Sequence, residues 1–174
     1  MIRTRRPASV VVALILALTT ASAVAAAPAG AQVILRDNCD PATFNAVLGE
    51  GACARPGGGL TFEAFIGQLM TLGRAPSWHF TPYVRLADGG TVTAVNRGGE
   101  AHTFTEVAAF GGGCVDELNE ILGLEPVPEC QDLGAVFATI VFPGNSLTTE
   151  PLDSGTHRFQ CAIHPWQRTV VDVD

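Results

Sequence analysis

From Trp78 onward the chain is written in short alternating stretches. "YVRLADGGTVTAVN", "HTFTEVAAF", "AVFATIVF", "THRFQC" and "RTVVDV" are apolar at every second position or over a short run, and Gly- or Pro-bearing turns separate them. A period of two sends one face of each segment into a core. Several such segments broken by turns bury that face by closing into a sandwich or barrel. The preceding part differs. Asp40 can N-cap a short helix with Pro41 at its first position, running to about Leu48, where "GEG" ends it. Thr61 can cap a second helix, with Phe62, Phe65, Ile66, Leu69 and Met70 on one face and Gly73 at its end. "ARPGGG" at 54 to 59 joins the two. Residues 33 to 75 therefore read as helical, a small pair lying on a mainly β domain. The expected division is a leader at 1–31, a helical extension at 32–76 and the β domain at 77–174.

The leader follows from its composition. Arg3, Arg5 and Arg6 precede the apolar run Val10 to Leu18, and the small residues of "ASAVAAAPAGAQ" offer cleavage after Ala25 or after Ala31. An uncleaved anchor is the alternative. Ala, Thr, Ser, Gly and Pro after Leu18, in place of Leu or Ile, favour cleavage. The mature protein is expected in the periplasm or outside the cell, free of the membrane. Such compartments oxidise thiols, and the chain has 5 cysteines, an odd number. Cys39 and Cys53 flank one short segment, and Cys114 and Cys130 another. Four cysteines allow three pairings, and the spacing favours the two local ones. Cys161 is then left over, and a free thiol there is a liability unless something occupies it.

Charge excludes some partners. The formal net charge is −7 with the leader's three arginines included, and there is no lysine. That balance argues against nucleic acid or an anionic membrane surface. Asp116, Glu117, Glu120, Glu125, Glu129 and Asp132 follow one another with no basic residue between them. A solvated face accounts for them more simply than a docking patch for a basic partner.

The spare cysteine sits in "HRFQCAIHPWQ". Cys161 ends a strand, on the face it shares with His157 and Phe159. His164 follows at +3 and Gln167 at +6, with Pro165 stiffening the loop. A loop that curls back brings all three around one point. His102, at a strand start after the turn in "NRGGEAHTFTEV", supplies a further donor. One thiolate, two imidazoles and a weak axial group, Gln being an alternative to Met, is the donor set of blue-copper electron-transfer sites. Zinc would accept the same donors. His157 lies roughly 13 Å from Cys161 along a strand, too far for the same ion. His79 reads as a surface or packing residue. Trp166 either rims an exposed edge of His164 or covers the barrel end against water.

On "TVTAVNRGGEAHTFT", "SGTHRFQCAIHPWQ" and the final "TVVDV", the part from about Trp78 to Val173 resembles the cupredoxins, the family of plastocyanin and amicyanin. The resemblance implies a mainly β, Greek-key sandwich or barrel, here preceded by a disulfide-stapled helical pair. It also implies one copper ion cycling between Cu(I) and Cu(II), with His102, Cys161 and His164 as equatorial ligands. The loop is short, as in the amicyanin pattern Cys-x-x-His-Pro-x-Met. Gln167 stands at the Met position, as in the stellacyanin type. Thr103 stands where many relatives carry an Asn that bonds across to the cysteine loop. Thr103, Pro165 and Trp166 are therefore expected around the ligands. The helical pair and the acidic segment lie outside the resemblance.

The function so implied is one-electron transfer by a monomer between redox partner proteins, with no substrate transformed. Copper delivery or storage would favour an open site and Met- or His-rich tracts, and the chain has 2 methionines. A multicopper oxidase or nitrite reductase needs a second centre with several more histidines, and only His79 and His157 are spare. A metal-free binding module on the same fold is the remaining alternative.

Overall fold

The computed structural model describes residues 26–174. Most of the expected leader, with its arginines and apolar run, lies outside the described residues. The strands in chain order are β1 (Gly30–Arg36), β2 (His79–Phe80), β3 (Tyr83–Leu86), β4 (Thr91–Asn96), β5 (His102–Thr103), β6 (Thr105–Glu106), β7 (Ile140–Val141), β8 (Ser146–Thr148), β9 (Gly155–Gln160) and β10 (Arg168–Val173). The helices are α1 (Pro41–Leu48), α2 (Phe62–Leu72), α3 (Asp116–Leu122) and α4 (Leu133–Phe137), with a 3₁₀ turn at Pro128–Gln131. Among the described residues no helix is long and apolar enough to cross a membrane.

Two four-stranded sheets, ordered β2-β1-β4-β8 and β3-β10-β9-β6, pack face to face, and β5-β7 forms a short third ladder. This is the mainly β sandwich that was expected. β4 and β10 alternate strictly between half-buried and buried residues, so period two delivers Val92 and Ala94 from one sheet and Val171 and Val173 from the other into one core. Phe104 and Phe159 stack within it, ring centroids 4.3 Å apart. Asp88 to Gly90 does turn the chain, but β3 and β4 are no hairpin. β3 runs parallel to β10, and β4 runs parallel to β1 in the opposite sheet.

Two segments differ from the sequence-based expectation. Residues 33 to 36 are not helical: they belong to β1, an inner strand between β2 and β4, with Val33 and Leu35 fully buried. A short apolar run such as "QVIL" carries no decisive period, and its parallel partner lies far along the chain. Likewise "AVFATIVF" is not one strand. The Asp132 side chain accepts from the Ala135 amide and caps α4, leaving only Ile140–Val141 extended.

α1 and α2 form as predicted. The Asp40 carboxylate accepts from the Thr43 amide, the Thr61 hydroxyl accepts from the Ala64 amide, and Gly73 closes α2 at φ 65° in the left-handed region. Their core is separate from that of the sandwich. Phe44, Phe65, Leu69 and Trp78 are buried together over Cys39 and Cys53, with Phe65 and Trp78 ring centroids 4.7 Å apart. Enclosing each such side chain stabilises by roughly 1.5–3 kcal/mol. Met70, placed on the same face by its spacing, is 72% exposed. Disulfides join Cys39 to Cys53 and Cys114 to Cys130. Cys161 is free and buried.

Candidate metal centre

The site lies at a seam where the chain changes sheets. His102 and Thr103 pair with Val141 and Ile140, and two residues later Thr105 pairs with Gln160 of β9. The turn before His102 is held by Asn96, whose side-chain amide donates to the carbonyls of Glu100 and Val141, each at 2.8 Å, and whose oxygen accepts from the Gly98 amide. On the other side, Cys161 follows the last residue of β9. The loop after it is closed twice: the Cys161 amide donates to the Gln167 carbonyl at 3.0 Å, and the Gln167 amide to the His164 carbonyl at 2.9 Å. Pro165 occupies the bend, and its carbonyl accepts from the Arg168 guanidinium.

This brings three predicted donors together. One donor atom each from His102, Cys161 and His164 lies within 4.8 Å of the others, and all three residues are buried. Cys161 Sγ stands 3.9 Å from His102 Nδ1 and 3.7 Å from His164 Nδ1. Burial alone would raise the Cys161 thiol, but the two facing imidazoles outweigh it and hold the thiol well below its ordinary range. The Thr103 amide points at Sγ from 3.4 Å. The Thr103 hydroxyl accepts from the Ala162 amide at 2.7 Å, tying the histidine strand to the cysteine loop.

Gln167 is fully buried beside this loop. Its Nε2 donates to the Arg36 carbonyl at 2.9 Å, which fixes which end of the amide is which. Its Oε1 has no hydrogen-bond partner among the described residues. A buried acceptor without a donor is costly, and a cation would satisfy it. A thiolate-biased sulfur and two Nδ1 atoms turned toward it together suit one copper ion.

Two acids that no local pattern singled out stand behind the imidazoles. Asp37, at the end of β1, meets His102 Nε2 with Oδ2 at 3.0 Å. Burial would raise Asp37; hydrogen bonds from His102 and from the amides of Glu100 and Gly99 outweigh it and hold the carboxyl at about 2. Burial would lower His102, and its bonds to Asp37 and Cys161 raise it to about 9. Glu100 Oε2 lies 3.7 Å from His164 Nε2 and accepts from the Trp78 indole. Burial raises Glu100, with His164 and Trp78 acting against it.

His164 is only 4% exposed, so Trp166 does not rim an open histidine edge. Trp166 is itself half-buried, its indole donating to the Trp78 carbonyl, and Phe65 of α2 lies edge-on to His164 with centroids 6.3 Å apart. What remains accessible of His164 faces a cleft of about 500 Å³ between α2 and α3, walled by Phe65, Ile66, Leu118 and Ile163. The acidic segment is anchored to the ligand loop as well. The Cys114 amide donates to the Ala162 carbonyl, and a Cβ on Gly113 would stand 2.3 Å from that oxygen. His157 lies away from the cluster, paired at 2.6 Å with Glu106, and His79 is exposed.

No protein-family model matches this chain, and no curated protein matches it. Among solved structures it is similar to a purple cupredoxin from Nitrosopumilus maritimus, at 13% identity over 83% of this chain and 99% of that one, with a TM-score of 0.41. It is also similar to a reduced amicyanin variant, at 23% identity over 54% of this chain and 70% of that one, with a TM-score of 0.35. A Cu(I) amicyanin variant gives 23% identity over the same shares and a TM-score of 0.34.

Proposed function

We propose that this chain is an exported type 1 copper protein that carries single electrons between redox partner proteins as a monomer, without transforming a substrate. The observation that carries this reading is the meeting of His102 Nδ1, Cys161 Sγ and His164 Nδ1 at the one cysteine that no disulfide occupies. Gln167 Oε1, buried and unpartnered, is the natural weak fourth donor. Copper in such a set supplies a one-electron Cu(II)/Cu(I) couple. The chain's part is to keep the donors in place through both states. The Cys161–Gln167 and Gln167–His164 backbone bonds, the Thr103–Ala162 bond and the surrounding sandwich core do this. Phe65, Trp78 and Trp166 keep water away.

The enclosed histidine favours a resident ion over copper delivery, which needs an exchangeable site. Export fits the two disulfides. Gly30 and Ala31 pair with Thr91 and Val92, so cleavage after Ala25 leaves β1 whole, whereas cleavage after Ala31 would trim it.

Addition of Cu(II) to the purified mature protein tests the reading. The expected result is uptake of one equivalent with an intense visible thiolate-to-copper band, bleached by a one-electron reductant and restored on reoxidation. Colourless protein that retains no copper would overturn it.

A further inference from the structure

Both imidazoles of the cluster have an anionic neighbour on the edge turned away from Cys161, and neither neighbour is explained by the copper reading alone. Asp37 is the closer. Its side chain is fully enclosed. Its two oxygens accept from the Gly99 amide at 2.9 and 2.8 Å, from the Glu100 amide at 3.0 Å and from the Cys39 amide at 3.3 Å. The remaining direction of Oδ2 is spent on His102 Nε2. The turn is shaped for this approach, since a Cβ on Gly98 would lie 1.8 Å from Asp37 Oδ2. Glu100, two residues before His102, turns the other way and puts Oε2 between Trp78 and His164.

An ionised carboxylate only accepts. Opposite Asp37, His102 must carry a proton on Nε2, so Nδ1 is the nitrogen that faces Cys161 and gives up its proton to take a metal. Glu100 applies the same bias to His164, more weakly because 3.7 Å is too long for a hydrogen bond. The charge has a second consequence. A thiolate and two carboxylates around the site leave one net negative charge with Cu(II) and two with Cu(I). In a poorly solvated interior the less charged state is favoured.

We propose that Asp37 and Glu100 are paired positioning residues, one behind each imidazole of the cluster, which hold both rings with Nδ1 toward Cys161 and bias a bound copper toward Cu(II). This rests on the copper reading for its redox half only. The helical extension then contributes to the site itself, because Asp37 hangs between β1 and the Cys39–Cys53 staple. A purely structural Asp37, serving only to cap the 97–100 turn, would leave ring tautomer and redox preference untouched.

Two measurements on the full mature protein decide it. The first needs neither metal nor variant: ¹⁵N-imidazole NMR of the metal-free protein should show a slowly exchanging Nε2–H on His102. A His102 proton residing on Nδ1 alone would overturn the positioning half. The second is voltammetry of the copper-loaded parent, Asp37→Asn and Glu100→Gln. Each variant should keep its visible band and lose at least tenfold in preference for Cu(II) over Cu(I), about 59 mV upward per tenfold for a one-electron couple. Asp37→Asn should give the larger shift, given its shorter contact and full enclosure. Should Asp37→Asn fail to fold, Glu100→Gln carries the comparison. Potentials equal to or below the parent's, with the band intact, would overturn the redox half. A parent that binds no copper would instead remove the function proposed above and the redox half with it, while the NMR result still decides the positioning.

Discussion

Replacing Gln167 by methionine separates what the fold asks of this residue from what a metal asks. In the metal-free protein Gln167 makes one side-chain hydrogen bond, Nε2 to the Arg36 carbonyl, and buries Oε1 without a partner. The bond is worth about 1 kcal/mol, and the orphaned oxygen costs about 1–3 kcal/mol. Methionine gives up the first, sheds the second and fills a similar volume. Metal-free stability should therefore change between nothing and a gain of about 2 kcal/mol, at most about 8 °C in Tm for a domain of this size. The copper protein should respond differently. An amide oxygen is a hard donor that favours Cu(II), and a thioether is a soft one that favours Cu(I). Taking hydrogen bonds to charged groups, about 1.5–3 kcal/mol, as the scale for an amide dipole on a cation, the variant loses roughly 10- to 150-fold in Cu(II) preference. At 59 mV per tenfold the potential rises by roughly 60–130 mV. Voltammetry of parent and variant, with thermal melts of both metal-free proteins, reads the two effects apart. The visible band should survive, because Cys161 supplies it. An unchanged or lower potential would take Gln167 out of the site and leave a three-donor centre.

Other outcomes follow from the same geometry. Cys161→Ser should abolish the visible band while the metal-free fold persists, as near-UV circular dichroism would show, and thiol titration of the denatured, unreduced parent should find one free thiol. Converting Cys39 and Cys53 to serine should cost about 3 kcal/mol in denaturant unfolding, the usual magnitude for a loop of this size. It should also broaden the His102 imidazole resonances, because the Cys39 amide is one of the bonds on Asp37. The Asp37 carboxyl is held at about 2 against an ordinary 3.8. Its contribution to metal-free stability should be complete above pH about 4 and disappear as pH falls toward 2, about 2 kcal/mol in all. Acid unfolding should show that loss, and Asp37→Asn should flatten it.

Much of this was legible because it is local. Cys161 and His164 lie three residues apart, and the loop that closes between Cys161 and Gln167 brings the two to one point. The caps of α1 and α2 are written in Asp40, Pro41, Thr61 and Gly73. The two disulfides follow from short spacing. The unforeseen parts depend on distant partners. Nothing within "QVILRD" distinguishes an inner strand from a helical turn, since its identity comes from pairing with 91–96. Asp37 and Glu100 are two of 17 acidic residues, and their role is visible only once β1 sets the first behind His102 and the 97–100 turn sets the second behind His164. In "AVFATIVF", the apolar spacing tolerated both helix and strand, and the Asp132 cap decided for helix in its first half.

The inner position of β1 has a consequence for how the protein comes into being. Asp37 and His102 are 65 residues apart, and His102 and Cys161 a further 59. Closing such spans costs chain entropy that is repaid only when the sheets are nearly complete, which is the pattern of slow, late-consolidating β topologies. A chain emerging N-terminus first thus displays β1 long before β4, and β4 long before the cysteine loop. Until then the metal-binding sequence is at most a Cys-x-x-His fragment, two donors on a flexible loop. Metal selection is thereby deferred to the finished fold. Copper acquisition in this protein should behave as a report that folding has ended, with metal entering a formed pocket, in contrast to small metallodomains in which the ion drives the chain to fold.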